Sequence, residues 1–141
     1  MNTGVLIFVW LCCISGSPAP AVYVASTPCS AGTRPVPGIP KEGGCELIKW
    51  ELQFFGGTYV LDCDYGMPKQ GTRGFINGGS HLHREGKWRM EGKKLFLDPD
   101  KPAVSISFLR LNEHLLHLLD SRGRLMIGTG AWSYTLNRIR P

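Results

Sequence analysis

Cys29, Cys45 and Cys63, the pair His81-x-His83 and the pair His114-x-x-His117 are the side chains whose type and spacing could do chemistry. Thiols pair as disulfides in an oxidising compartment, and as thiolates they bind soft metals. Among these three cysteines, which remain once the expected signal peptide with Cys12 and Cys13 is removed, one bridge leaves one over, and all pairings stay open. Cys29 lies in a Pro-rich stretch that can reach several partners. Cys45 and Cys63 sit at the outer ends of one expected hairpin, offset in register. Residues two apart on a strand point to the same face, so His81 and His83 could share one zinc- or copper-like ion. Two imidazoles do not fill a coordination sphere, so a Cys or Asp must converge on them. The spacing of His114-x-x-His117 suits shared ligation on a helix; on a strand the two face opposite sides and cannot share an ion.

Catalytic groupings are not evident. Glu42, Glu46, Asp62, Asp64, Glu85 and Glu113 supply carboxylates, but their spacing pairs none of them. The sequence holds no Gly-x-Ser-x-Gly elbow, His-Glu-x-x-His pair or phosphate loop. A non-enzymatic protein is expected.

The elements that must position these residues are strands. Ile48, Trp50, Leu52 and Phe54 alternate with Leu47, Lys49, Glu51 and Gln53; Phe55-Gly56-Gly57 turns the chain, and Thr58 to Cys63 returns. Further short runs fall near 81–85, 87–91, 94–97, 103–110, 114–119 and 132–138, each closed by a turn signal, with another short one at 125–127. Ile48, Trp50, Leu52, Tyr59, Leu61, Trp88, Leu116 and Leu118 are the expected core. The pattern predicts an all-β fold, an antiparallel meander of about eight strands that packs as a sandwich or closes as a barrel. A barrel of that size is filled by side chains or holds one small ligand.

Residues 1–21 carry no charged side chain, and Val5 to Ile14 is almost wholly apolar. With Ala19-Pro20-Ala21 at its end, this segment reads as a cleaved signal peptide with a mature start near Val22. The apolar run is too short to span a bilayer comfortably. Neither Cys12 nor Cys13 follows the small residue a lipobox needs, so lipid anchoring is not expected. Residues 22–44, with Pro28, Pro35, Pro37 and Pro40, read as an irregular Pro/Gly-rich arm or edge segment, and 45–141 as the barrel domain. The net charge is +5, scattered over strands and turns. That excludes the concentrated basic face of a nucleic-acid binder.

The order of the pieces resembles the N-terminal domain of the NlpE family of bacterial envelope proteins, named for copper resistance and envelope stress. Gly86-x-Trp88, Gly92-Lys93-Lys94-Leu95, Leu115-Leu116-His117-Leu118-Leu119-Asp120, Gly123 and Tyr134 to Arg138 carry the resemblance. It extends back to Cys45-Glu46-Leu47-Ile48 and Gly57-Thr58-Tyr59. It implies a small lipocalin-like barrel, a periplasmic or secreted location, and a role in copper homeostasis or the envelope stress response through an envelope protein partner. The family pattern places a Cys-x-x-Cys before the first strand. Here Cys45 matches the second cysteine and Glu42 stands in place of the first. Cu(I) binding through that pair is therefore not expected. Any copper would fall to Cys45 with Cys29 or Cys63, helped by His81 and His83. Two other readings are a lipocalin-like carrier of a small apolar ligand and a structural envelope domain resembling the META/HslJ group.

Overall fold

The computed structural model describes residues 20–29, 35–40 and 43–140. Among these residues eight strands close into one antiparallel barrel. They are β1 (Ala21–Pro28), β2 (Leu47–Phe55), β3 (Thr58–Gly66), β4 (Ser80–Glu91), β5 (Lys94–Leu97), β6 (Ile106–Asn112), β7 (Leu115–Leu118) and β8 (Thr135–Arg140). Each strand pairs with the next, and β1 pairs with β8 to complete the ring. Closure leaves no free sheet edge for another chain to pair with. The alternation predicted an all-β antiparallel fold, sandwich or barrel, and the barrel is the one observed.

Alternation decides what faces inward. Ile48, Trp50 and Leu52 of β2 meet Leu61 of β3, Leu97 of β5, Phe108 of β6, Leu116 and Leu118 of β7 and Leu136 of β8 in one buried cluster. The rings of Trp50 and Phe108 pack edge to face across it, 6.3 Å apart. Trp88 is only half-buried. Its ring packs on Phe54 at 5.1 Å, and its indole N–H donates to the Gly56 carbonyl oxygen at 2.7 Å.

Several boundaries differ from expectation. The supposed irregular arm begins with a strand: β1 runs between β2 and β8 and is paired on both sides. Its sequence, AVYVASTP, carries the β-branched and aromatic residues Val22, Tyr23, Val24 and Thr27, and the prolines that suggested an arm lie at its end or beyond it. Val36 and Ile39 then pack into the core, so the domain does not start at Cys45. The runs near 81–85 and 87–91 are one strand, β4. Gly86 does not interrupt it, because the missing side chain makes room for Tyr59 and Asp98 on the inner side. The strands are eight, as expected, but β1 is among them and one strand takes the place of two. Val104 is exposed in a turn, and β6 starts at Ile106. Leu125 forms only an isolated bridge with Leu119. The expected signal peptide and the Cys12 and Cys13 lipid sites lie outside the described residues, apart from Pro20 and Ala21.

Candidate functional site

The densest chemistry lies on the outer wall of β3 and β4. β4 presents Leu82, Arg84, Gly86 and Trp88 inward and His81, His83 and Glu85 outward. Antiparallel register sets Asp64 opposite His81 and Asp62 opposite His83. Neighbours directly across such a ladder are close enough to bond. Asp62 Oδ1 lies 3.1 Å from His81 Nε2 and 2.7 Å from His83 Nδ1. The remaining ring nitrogens are also held: His81 Nδ1 by Asp64 Oδ1 at 2.7 Å and His83 Nε2 by Glu85 Oε1 at 3.0 Å. Asp62, His81 and His83 each bring one donor atom within 4.8 Å of the others.

The electrostatics of the ladder favour positive charge. The hydrogen bond to Asp64 holds the His81 imidazole above its usual pKa, with Asp62 adding to it. For His83 the main cause is the bond to Asp62, then that to Glu85. One row over, β2 sets Lys49 opposite Asp64 and Glu51 opposite Asp62. Lys49 does not neutralise the cluster. Its ammonium donates to the Arg73 carbonyl oxygen and sits 5.3 Å from the centre of the Phe75 ring.

The three cysteines do not converge on these histidines. Cys29 and Cys45 form a disulfide, with Cα atoms 5.3 Å apart. This resolves the pairing the sequence left open, and the register explains it. Cys29 follows Pro28 at the end of β1, Pro28 pairs with Leu47, and the Cys29 N–H donates to the Glu46 carbonyl oxygen at 3.1 Å. Cys63 stays a free thiol on the inner face of β3, fully buried. Burial, and after it the charges of Asp62 and Asp64, push its pKa up to about 12. A thiol so protonated is neither a nucleophile nor a thiolate ligand. The thiols to which any copper would fall, Cys45 with Cys29 or Cys63, are here a covalent bridge and a core residue. Glu42, which stands where a family cysteine is expected, lies outside the described residues.

A second polar cluster, which the sequence did not suggest, sits on the inner side of β3 and β4. The Tyr59 hydroxyl donates to Asp98 Oδ2 at 2.5 Å, and Arg84 Nη2 donates to the same oxygen at 2.6 Å and to the Val104 carbonyl oxygen at 2.7 Å. Burial, then the bond to Asp98, raises the Tyr59 pKa to about 12. For Asp98 burial works upward, but the Tyr59 hydroxyl and the Arg84 guanidinium outweigh it and hold the carboxyl below its usual range. This cluster is a clamp between β3, β4 and the turn after β5. The sequence signal for it was Arg84, a charged residue on the inward face of β4; the left-handed backbone of Asp98, φ 51, came only with the structure.

His114 and His117 do not form a site. His117 Nε2 lies 2.7 Å from the Met126 carbonyl oxygen and Nδ1 2.9 Å from Thr135 Oγ1, so its ring fastens β7 to β8 and to the loop between them. His114 lies in the turn after β6, where its backbone N–H donates to Asn112 Oδ1 at 2.8 Å. A surface groove of about 610 Å³ opens beside β5 and β6, lined by Pro35, Pro37, Phe96, Pro99 and Met126 among others. Phe96 and Ser107 alternate with the inward residues of β5 and β6, so this groove lies on the outer wall. Comparison with models of known protein families, with curated proteins and with solved structures finds no match.

Proposed function

We propose that this chain is a non-enzymatic β-barrel domain that works outside the cytoplasm in metal handling, in the copper homeostasis or envelope stress role its resemblance to NlpE implies. The observation that carries this reading is where the polar chemistry sits. The barrel interior is filled by Leu52, Leu61, Leu97, Phe108, Leu116, Leu118 and Leu136, all fully buried or nearly so. The one cluster of convergent imidazoles and carboxylates among the described residues faces outward. A filled barrel acts through its surface, so a packed interior speaks against the alternative of a small-ligand carrier. The Cys29–Cys45 bridge supports an oxidising compartment, as does the uncharged N-terminal segment. Cleavage after Ala21 would leave β1 whole except for its first residue. A protein partner would complete the stress-signalling version of the role.

The test is genetic. A strain lacking the gene should grow less well than its parent at raised copper, or respond abnormally to envelope stress, and a plasmid copy should restore it. Normal growth and a normal stress response in the deletion strain would end this reading. Intact mass of the exported chain checks its location: the expected product starts near Val22 and carries no lipid.

A further inference from the structure

We infer that Asp62, His81 and His83 form a binding site for a borderline divalent transition ion, Cu(II) or Zn(II), with His81 Nε2, His83 Nδ1 and Asp62 Oδ1 as its ligands. The inference deepens the metal-handling reading above and rests on it for its biological sense, though not for its chemistry. Two features of the ladder carry it. The first is spacing. Nitrogen and oxygen ligands about 2.0–2.2 Å from one ion stand roughly 2.8–3.5 Å from each other. Asp62 Oδ1 is already 3.1 Å from His81 Nε2 and 2.7 Å from His83 Nδ1. An ion can therefore replace the protons now shared there with little movement of the backbone.

The second feature is the outer ring of carboxylates. A metal-bound imidazole keeps one N–H, and metal sites commonly aim that N–H at a carboxylate that fixes the ring and raises its basicity. Here the nitrogens turned away from Asp62 already meet such groups, Asp64 at His81 Nδ1 and Glu85 at His83 Nε2. Asp64 and Glu85 are thus positioning residues. The arrangement comes from two different strands, so it is more than two histidines that happen to be exposed. The donor set also selects the ion. Imidazole and carboxylate suit Zn(II) and Cu(II), whereas Cu(I) prefers thiolate. The thiols of the described residues are out of play, because Cys29 and Cys45 are bridged and Cys63 is buried. Three protein ligands on an exposed wall leave the rest of the coordination sphere to water or to a donor from outside.

Purified oxidised protein titrated separately with Zn(II) and Cu(II) tests this by calorimetry and chelator competition. The expected result is one ion per chain. His81→Ala with His83→Ala should abolish it, and Asp62→Asn should weaken it strongly. Asp64→Asn or Glu85→Gln should each weaken binding about 10- to 100-fold, as loss of an orienting carboxylate does. All five positions are on the surface, and a circular dichroism spectrum confirms that each variant is folded. Under Zn(II), the imidazole NMR signals of His81 and His83 should shift while those of His114 and His117 stay. No binding of either ion, or binding that survives the double histidine substitution, overturns the inference. Unchanged affinity in both Asp64→Asn and Glu85→Gln overturns the positioning roles. A copper phenotype of the deletion strain alongside failed titrations would sink this site and leave the broader reading standing; the converse result would leave a true site with no part in metal tolerance.

Discussion

Tyr59 donates its hydroxyl hydrogen to Asp98 Oδ2 at 2.5 Å, tying the inner face of β3 to the residue that follows β5. Arg84 donates to the same oxygen from β4, so one carboxylate holds three parts of the barrel. Gly86 lies beside it, and a Cβ there would come within 2.1 Å of Asp98 Oδ1.

Removing that carboxylate charge should be costly. Asn tolerates the left-handed backbone of Asp98, so Asp98→Asn keeps the turn and deletes only the charge. The Arg84 and Asp98 side chains are 14% and 10% exposed, so the guanidinium loses its partner in a mostly buried place. Breaking a buried pair by removing one member costs about 3 kcal/mol or more. Urea unfolding of the variant should show a loss near that size. A midpoint equal to the parent's would mean the pair does not support the fold.

The same carboxyl predicts a pH dependence. Its folded pKa is lowered, so the stability it contributes is fully present above its unfolded value of about 3.9. That contribution is lost as pH falls through the lower folded value. Urea midpoints measured from pH 6 down to pH 2 should therefore decline below about pH 4. In Asp98→Asn the decline should be visibly shallower. An identical slope in parent and variant would assign acid sensitivity to other carboxylates.

β1 should prove an integral part of the core. The Trp50 indole N–H donates to Thr27 Oγ1 at 2.8 Å, and both side chains are buried. Thr27→Val keeps the shape and strands the indole donor, which costs roughly 1–3 kcal/mol. Thermal or urea denaturation would register this. No change would indicate that β1 packs only loosely.

The cysteines should behave in two distinct ways. Alkylating reagent added to the native, unreduced protein should leave Cys63 unmodified, because it is buried and its pKa lies near 12. After the exported chain, expected to lack Cys12 and Cys13, is unfolded without reductant, mass spectrometry should find one label, on Cys63. Replacing Cys29 and Cys45 by Ser should lower stability by about 3 kcal/mol in the chain-entropy account of a loop this long. Rapid native labelling of Cys63 would contradict its place inside the barrel.

Alternation made much of this fold legible from the amino-acid sequence. Ile48, Trp50 and Leu52 lie on the inner face because successive side chains on a pleated strand point to opposite sides, which is a local rule. The same rule put His81 and His83 on one face. Boundaries were harder where composition misled. β1 was hidden because the prolines after it coloured the whole stretch from 22 to 44, although Val22, Tyr23 and Val24 fit a strand.

What only the tertiary structure decided are the long-range choices. β1 meets β8 across nearly the full chain because closing the ring pairs backbone groups that two free edges would leave open, a gain no local window contains. The Cys29–Cys45 bridge follows from the β1–β2 register, which brings the end of one strand beside the start of the next. Register also makes the imidazole and carboxylate ladder. Asp62 faces His83, and Asp64 faces His81, across a long glycine-rich connection whose length does not dictate the pairing. A slip of one residue would set Asp62 against Leu82 or Arg84 and scatter the cluster. The burial of Cys63 and Leu61 on one side of β3 prevents that slip, so packing inside the barrel sets the geometry outside it.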